Sequence, residues 1–317
     1  SQDRAGWRYT VTKPTLTVVM PNYNHAKYLP RSLDAVLRQT RPPDEFLVLD
    51  DASTDNSVEI LEQYEQQHSV MRVLRNETNQ GVNVANNRLF AEATGDYLHA
   101  AAADDNWPPS FYESAMGMAQ SHPQAGLIFG KMEICDQHGD LLSTVAVSAW
   151  REPLFADPAR YLAEYLDAEL ATHAATVSTI FRRDAFMSVG GYRSDLGSWA
   201  DSFAARAVGL RHGACYLPDL CGRMTRVVGS HSDQSNQQPA KQIEMIARAA
   251  RMMRSDEFRD TFPAEHVARW RREFRRLTIW NYWLGSDAER SPSFLIRNLR
   301  RLPRTWRALA LYCFHKS

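Results

Sequence analysis

Two pairs of adjacent aspartates are the residues best suited to chemistry: Asp50-Asp51 in FLVLDDASTD and Asp104-Asp105 in YLHAAAADDNW. Neighbouring carboxylates repel unless a cation lies between them or one of them holds a proton. A hard divalent cation resolves the conflict through oxygen ligands. Mg2+ in particular takes one or two protein carboxylates and completes its shell with water and substrate phosphates. A carboxylate can also accept hydrogen bonds from ribose hydroxyls or from the edge of a base. Each pair has a plainer reading as solvated loop acids or helix caps. Asp104-Asp105-Asn106, ahead of Trp107-Pro108-Pro109, would suit a cap.

The elements that must position these acids alternate. Apolar, β-branched runs at 16–21, 46–51, 70–76 and 97–103 predict strands. Between them, 27–39, 55–67 and 82–93 predict helices, with Asp55 placed to cap the second and Gly95 to close the third. This order predicts an α/β fold with a mostly parallel sheet covered on both faces. The alanines 100–103 fit a central strand that has room only for small apolar side chains. In open sheets of this kind ligands bind beyond the carboxyl ends of the strands, where both acidic pairs fall. Further on, 108–121, 157–166 and 200–211 predict helices, 125–136 a strand, and 176–186 a strand with a turn. Beyond 238 the pattern is helical only, over 239–254, 263–284 and 293–314. A boundary near QSNQQP divides the chain into a body, 1–235, and a helical C-terminal extension, 236–317.

Composition narrows the class. The chain has 317 residues, enough for a large core without disulfides, and a formal net charge of zero, which names no partner. Four scattered cysteines form no CxxC pair and no zinc spacing, which fits reduced thiols in a cytosol. No run approaches the roughly 18 apolar residues of a membrane span. Neither GxGxxG nor GxxxxGK[ST] occurs, which disfavours dinucleotide oxidoreductases and P-loop NTPases.

The segments LTVVMPNYNHAKYLPRSLDAVLRQT, DEFLVLDDASTDNS and NQGVNVANNRLFAEATGDYLHAAAADDNWPP resemble, in order and spacing, the family-2 glycosyltransferases of GT-A fold. The resemblance is strong over about 14–135 and weaker over 175–233. It implies an inverting, nucleotide-sugar-dependent transferase on a Rossmann-like mixed sheet. At matching positions it implies that Pro21 and Tyr23 border the nucleotide base and that Asp51 hydrogen-bonds it. Asp104 would lie nearer the ribose and Asp105 would bind Mn2+ or Mg2+ bridging the diphosphate, with Asp104 also within reach of the metal. Three positions depart from the family: Ala102 where many members carry an acid, Asn86 where an arginine is common, and Val228 where a histidine often stands. His231, displaced by three residues, is the remaining histidine that could reach the metal or diphosphate; the alternative is a surface loop residue.

Inverting transfer needs an acceptor hydroxyl relieved of its proton, and a positioned carboxylate can take it. In the family an acid pair ahead of an amphipathic helix supplies this base. Here the pair is Ala200-Asp201, so Asp201 is the expected base, with a helix cap as its structural alternative and Asp195 as the reserve candidate. Trp107 and Trp199 could stack on sugar faces or belong to the core.

Residues 269–307 hold eleven arginines, no lysine, three acids and Trp270, Trp280, Trp283 and Trp306. That segment suits an anionic membrane surface or the diphosphate of a lipid-linked acceptor. It equally suits a helical extension packed on the acidic body; nucleic acid is not expected. The expected partners are a nucleotide-diphosphate sugar of UDP, GDP or dTDP type and a glycan or lipid-linked acceptor. The expected role is assembly of a bacterial-type surface polysaccharide, in the cytoplasm or peripherally at the inner face of the membrane. The alternative is a non-catalytic nucleotide-sugar or glycan binding protein on the same scaffold.

Overall fold

The computed structural model describes residues 13–168, 176–226 and 238–285. The first half alternates β1 (Leu16–Asn22), α1 (Leu29–Leu37), β2 (Glu45–Asp50), α2 (Ser57–Gln67), β3 (Met71–Arg75), α3 (Val82–Glu92), β4 (Tyr97–Ala100) and α4 (Phe111–Ser121). The second half carries β5 (Leu127–Asp136), β6 (Leu141–Val145), β7 (Leu154–Ala156), β8 (Thr179–Arg182) and β9 (Ala214–Arg226). Its helices are α5 (Pro158–Arg160, widening into a π-helix over Tyr161–Asp167), α6 (Arg183–Ser188) and α7 (Ala200–His212). Two longer helices follow, α8 (Pro239–Met253) and α9 (Ala264–Gly285).

Among the described residues one nine-stranded sheet runs β3-β2-β1-β4-β8-β5-β9-β7, with β6 on β5. The pairs β1–β2, β2–β3, β1–β4 and β5–β9 are parallel, while β8, β6 and β7 join their neighbours antiparallel. The parallel half is thus the one whose strands read as continuous apolar runs. Leu16–Met20 and Phe46–Leu49 are fully buried, as strands covered on both faces must be. α1 buries Leu29, Leu33 and Val36 on one face and is followed by Pro42-Pro43, which cannot extend a helix. Strand order reverses at β1: β2 and β3 lie to one side and β4 to the other. That is the switch point at which such sheets open a crevice.

Two local expectations change. Gly95 does not close α3 in a left-handed turn; the helix ends at Ala93, whose N–H bonds the Leu89 carbonyl at 3.0 Å. Gly95 is there because a Cβ would sit 2.7 Å from the Thr17 backbone nitrogen and hydroxyl, so only glycine lets this turn close onto β1. The strands β6, β7 and β9 were not anticipated.

Gly209, inside α7, makes another close approach: a Cβ would lie 2.3 Å from the ring of Tyr161. Tyr161 is 1% exposed and bonds the Ala205 carbonyl, so it cannot retreat. Gly209→Ala gains about 1 kcal/mol of helix propensity but meets an overpacking cost of roughly 1–3 kcal/mol. Urea unfolding should therefore show a net loss of about 1 kcal/mol, opposite to the usual result of this change in a helix.

α8 and α9 share the apolar core of the body. Phe203 of α7 meets Phe258 and Phe262 at 4.9 and 5.6 Å between centroids, and Trp199 meets Trp270 and Phe274 edge-on at 5.3 and 4.7 Å. Arg211 fastens the turn between the helices through the Glu257 carbonyl and Thr261. Trp199 therefore belongs to this seam, and Trp107 is 3% exposed with its indole N–H on the Val177 carbonyl, so both rings expected either in the core or on sugars are packed. No described helix is long and apolar enough to cross a membrane. The helix expected at 293–314 lies outside the described residues.

Candidate active site

β2 and β4 flank β1, so the chain leaving each delivers its acids to the same edge of the sheet. The first pair divides its work. Asp50, opposite Asn22 in the ladder, accepts from the Asn22 amide at 2.9 Å and from the Ser53 N–H at 3.0 Å, and so ties the β1 and β2 ends together. Asp51 is 2% exposed and turns toward the segment before α3. Its Oδ1 accepts from Asn76 at 2.6 Å and Gln80 N–H at 2.9 Å, and its Oδ2 from Gly81 N–H at 2.8 Å. Both oxygens of Asp51 are thus engaged by the protein itself. Among the described residues Asn24 and Ala52 are the non-glycine ones with left-handed backbone, φ 56° and 64°. Asn24 is fixed there by its carbonyl Oδ1, which accepts from the Thr54 N–H at 2.7 Å. Such strain persists only where neighbours enforce it, and it gathers at functional loops.

The second pair follows β4 and reaches across to α1 and β9. Neither acid caps the next helix: α4 begins after Ser110. Asp105 is 6% exposed, its Oδ1 accepts from the Thr225 N–H of β9 at 2.9 Å, and among the described residues its other oxygen takes no hydrogen bond. Its backbone carbonyl accepts from Ser32 of α1 at 2.6 Å. Asp104 faces His25, Oδ2 to Nε2 3.9 Å, and its carbonyl accepts from Arg31 at 2.8 Å; the same guanidinium nitrogen bonds Thr225 Oγ1 at 2.8 Å. Burial, and then the Asp104 charge beside it, hold the Asp105 carboxyl well above the ordinary carboxylate range, against the pull of the Thr225 N–H. Burial also raises Asp104, offset in part by His25 and Arg31.

This donor set suits Mg2+ or Mn2+. Two adjacent carboxylates, Asp104 half-buried and Asp105 buried with one unbonded oxygen, both raised above their ordinary range, can hold such an ion. Among the described residues no third acid, His or Cys completes a cluster. The remaining ligands would come from water and a diphosphate, as these ions prefer.

Pro21 is half-buried at the end of β1 and Tyr23 is 42% exposed beside the Asn24 loop, so both border the same edge. Asp201 sits in the first turn of α7, half-buried, accepting from the Ser202 N–H; it is not the N-cap, which is Trp199. The segment leading to it is tied to α3. Asn83 donates to the Gly197 carbonyl at 2.8 Å and Asn87 to the Tyr192 carbonyl at 2.7 Å. Asn86, at the departure from the family, is buried with no described partner for its Oδ1. His231 and Val228 lie outside the described residues. Sequence reasoning missed Arg31, Ser32, His25 and Thr225. Arg31 was legible only as a polar position on α1, like Arg38, and Thr225 belongs to a strand the pattern did not announce.

Residues 17–190, more than half of the chain, match the family described as Glycosyl transferase family 2. The Bacillus subtilis (strain 168) glycosyltransferase TuaG, provisionally named for teichuronic acid biosynthesis, is 37% identical over 95 residues, 30% of this chain and 38% of that one. The chain spans about a third, 30–38%, of the length of the first curated relatives it matches. The solved structure of S. aureus TarS 1-349 with UDP-GlcNAc has a TM-score of 0.68 at 19% identity, covering 91% of this chain and 82% of that one. The mannosyltransferase PcManGT from Pyrobaculum calidifontis, solved with GDP-Man and Mn2+, gives 0.57 at 19% identity, covering 94% and 84%. Those likenesses extend beyond the matched segment and show the shared GT-A type of fold. With one family accounting for β1 through α6, and so for the strands that deliver both acidic pairs, the chain belongs to glycosyl transferase family 2.

Proposed function

We propose that this chain is a metal-dependent, inverting glycosyltransferase that moves a sugar from a nucleoside diphosphate donor to an acceptor hydroxyl. The observation that carries the reading is the Asp104-Asp105 pair at the crevice edge, the first half-buried and the second buried, both raised by burial, Asp105 also by its neighbour's charge, and committed to no cap. The exposed ring of Tyr23 offers a face to a base, and Asp51 holds the Gln80-Gly81 turn beside it. Asp104 and Asp105 would hold Mn2+ or Mg2+, which when bound neutralises charge growing on the leaving diphosphate. Arg31 and Thr225 keep the pair in place. Asp201 takes the acceptor proton as the hydroxyl attacks the anomeric carbon from the face opposite the leaving group.

The relatives guide the substrate class. TarS was solved with UDP and UDP-GlcNAc and PcManGT with GDP-Man, so a UDP or GDP sugar is the first donor to test. TuaG directs attention to surface polysaccharide as the product. In this reading residues 1–235 are the catalytic unit and 236–317 an extension whose Arg- and Trp-rich end meets an anionic membrane surface carrying the acceptor.

The test is a thermal-shift screen of UDP, GDP, CMP and dTDP with and without Mn2+, followed by turnover of the matching sugar nucleotides. A nucleotide at about a hundred times its Kd stabilises by about 2.7 kcal/mol, or roughly 5 °C here. One diphosphate should give that shift only with Mn2+. Absence of any shift would remove the donor assignment. A shift without turnover across donors and acceptors would leave a binding protein on the same scaffold.

A further inference from the structure

We infer that Arg206 is a positioning residue for the proposed base: a buried cation that fixes the first turn of α7 and favours the ionised form of Asp201. This inference rests on the assignment of Asp201 made above.

Arg206 is 2% exposed, which is rare for a guanidinium. Its Nη1 donates to the Ser202 carbonyl at 3.0 Å and to the Ser202 hydroxyl. Ser202, 7% exposed, in turn donates its N–H to Asp201 Oδ1. The cation therefore grips the residue that grips the carboxylate, within two turns of one helix. Its other side is closed by α9: the guanidinium lies 5.7 Å from the centroid of Phe274, whose ring packs on Trp199 two residues before Asp201. α9 thus helps shield the charge from water, so its field at the first turn of α7 is screened less than at the surface. Among the described residues the ionisable groups around it are Asp201 on α7, Tyr161 and Tyr165 on α5, and His266 on α9; Tyr192 faces Asp201 from the preceding loop. Burial raises the Tyr161 and Tyr192 hydroxyls well above their ordinary value, and burial with Arg206 nearby lowers His266 against the pull of Asp167. Among the described residues Asp201 is the carboxylate whose charge acts on this cation. The N-terminus of α7 acts in the same direction.

The experiment is the pH dependence of kcat at saturating Mn2+ and donor for wild type, Arg206→Met, Arg206→Lys and Asp201→Asn. Removing a nearby cation raises a carboxylate pKa, so Arg206→Met should move the acid limb up by about one pH unit. It should lower kcat by about 100-fold through misplacement of the base, with the donor KM within threefold. Arg206→Lys keeps the charge but not the fork, and should recover about tenfold of the loss with most of the limb shift reversed. If Arg206→Met does not fold, Arg206→Lys alone decides: wild-type kcat with an unmoved limb overturns the inference. So does an Arg206→Met enzyme that loses activity with the limb in place, which is what a merely structural arginine would give. Asp201→Asn separates the two readings. If it keeps activity, the base assignment falls and this inference with it. If it abolishes the limb while the Arg206 variants leave theirs unmoved, only the inference falls.

Discussion

Asp105→Asn should stabilise the metal-free chain and abolish sugar transfer. Asp105 is buried beside another carboxylate, and both burial and that neighbour oppose its ionisation. Asparagine keeps an oxygen for the Thr225 N–H and removes the repulsion, so the fold should gain about 1 kcal/mol at neutral pH, a common return when a functional site is relaxed. The same change removes the charge that would hold the cation. Loss of several kcal/mol of charge stabilisation in the transition state lowers kcat/KM by about 10³-fold. Stability that rises while activity disappears would mark Asp105 as a residue kept for chemistry against the interest of the fold. A variant that loses stability and keeps transfer would reverse that conclusion.

The pH dependence gives the sign a second check. Above its ordinary value of 3.8 the unfolded Asp105 has lost its proton, while the folded chain still holds it. The folded state therefore binds more protons, and this contribution to stability falls as pH rises from about 4 through the raised value. His99 acts the other way in an overlapping window. It is fully buried between the Tyr112 hydroxyl and the Val177 carbonyl, and burial lowers it from 6.5 to about 4. The unfolded chain takes up that proton first, so this contribution is lost as pH falls below about 6.5. The wild-type curve mixes the two, and the difference between wild type and Asp105→Asn isolates the carboxylate. That difference should grow with pH in the metal-free chain. Mn2+ with the nucleoside diphosphate should close it, with a larger thermal shift at pH 8 than at pH 5.5, because the cation competes with the proton.

The parallel half of the fold was legible because its physics is local. Leu16–Met20 and Phe46–Leu49 could only be strands covered on both faces, and α1 shows its period in Leu29, Leu33 and Val36. The acids were legible because they follow two of these strands: β2 ends in Asp50, while β4 stops at Ala100, short of the strand expected over 97–103, and the chain leaving it carries Asp104-Asp105. What escaped depends on partners remote in sequence. β9 contains Pro218 and Gly222, which read as breakers, yet it runs beside β5 with register shifts around Lys131 that absorb them. β6 is exposed almost throughout, so it has no apolar alternation to announce it. Arg31 in α1 and Arg38 at its C-cap are alike in the sequence. Only the fold brings Arg31 to Asp104 and Thr225, 73 and 194 residues away, and leaves Arg38 on the i,i+4 acid Asp34. Trp199 could have faced a sugar; it is the arrival of α9 that claims it for the seam.

Asp201→Asn should lower kcat by about 10³-fold while leaving nucleotide binding unchanged. Asparagine accepts the Ser202 N–H as aspartate does, so α7 keeps its first turn, and what is lost is the capacity to take a proton. The donor KM and the Mn2+-dependent nucleotide shift should stay within threefold of wild type, because the proposed base acts on the acceptor and the proposed binding elements lie at β1, β2 and β4. This separates the variant from Asp105→Asn, which should lose both. Asp195 is the control. It is exposed, 3.9 Å from Arg193, with its carbonyl rather than its carboxylate engaged by Arg248, so Asp195→Asn should retain more than a third of the wild-type rate. If the two variants exchange these results, the base lies one turn earlier, in the Ser194–Trp199 segment, and the order of acids along this stretch would not carry over from the family. If neither variant changes kcat while Asp105→Asn still abolishes it, proton removal is not what limits turnover. The cost of the reaction would then lie in parting the sugar from its diphosphate, which is the work assigned to Asp104 and Asp105.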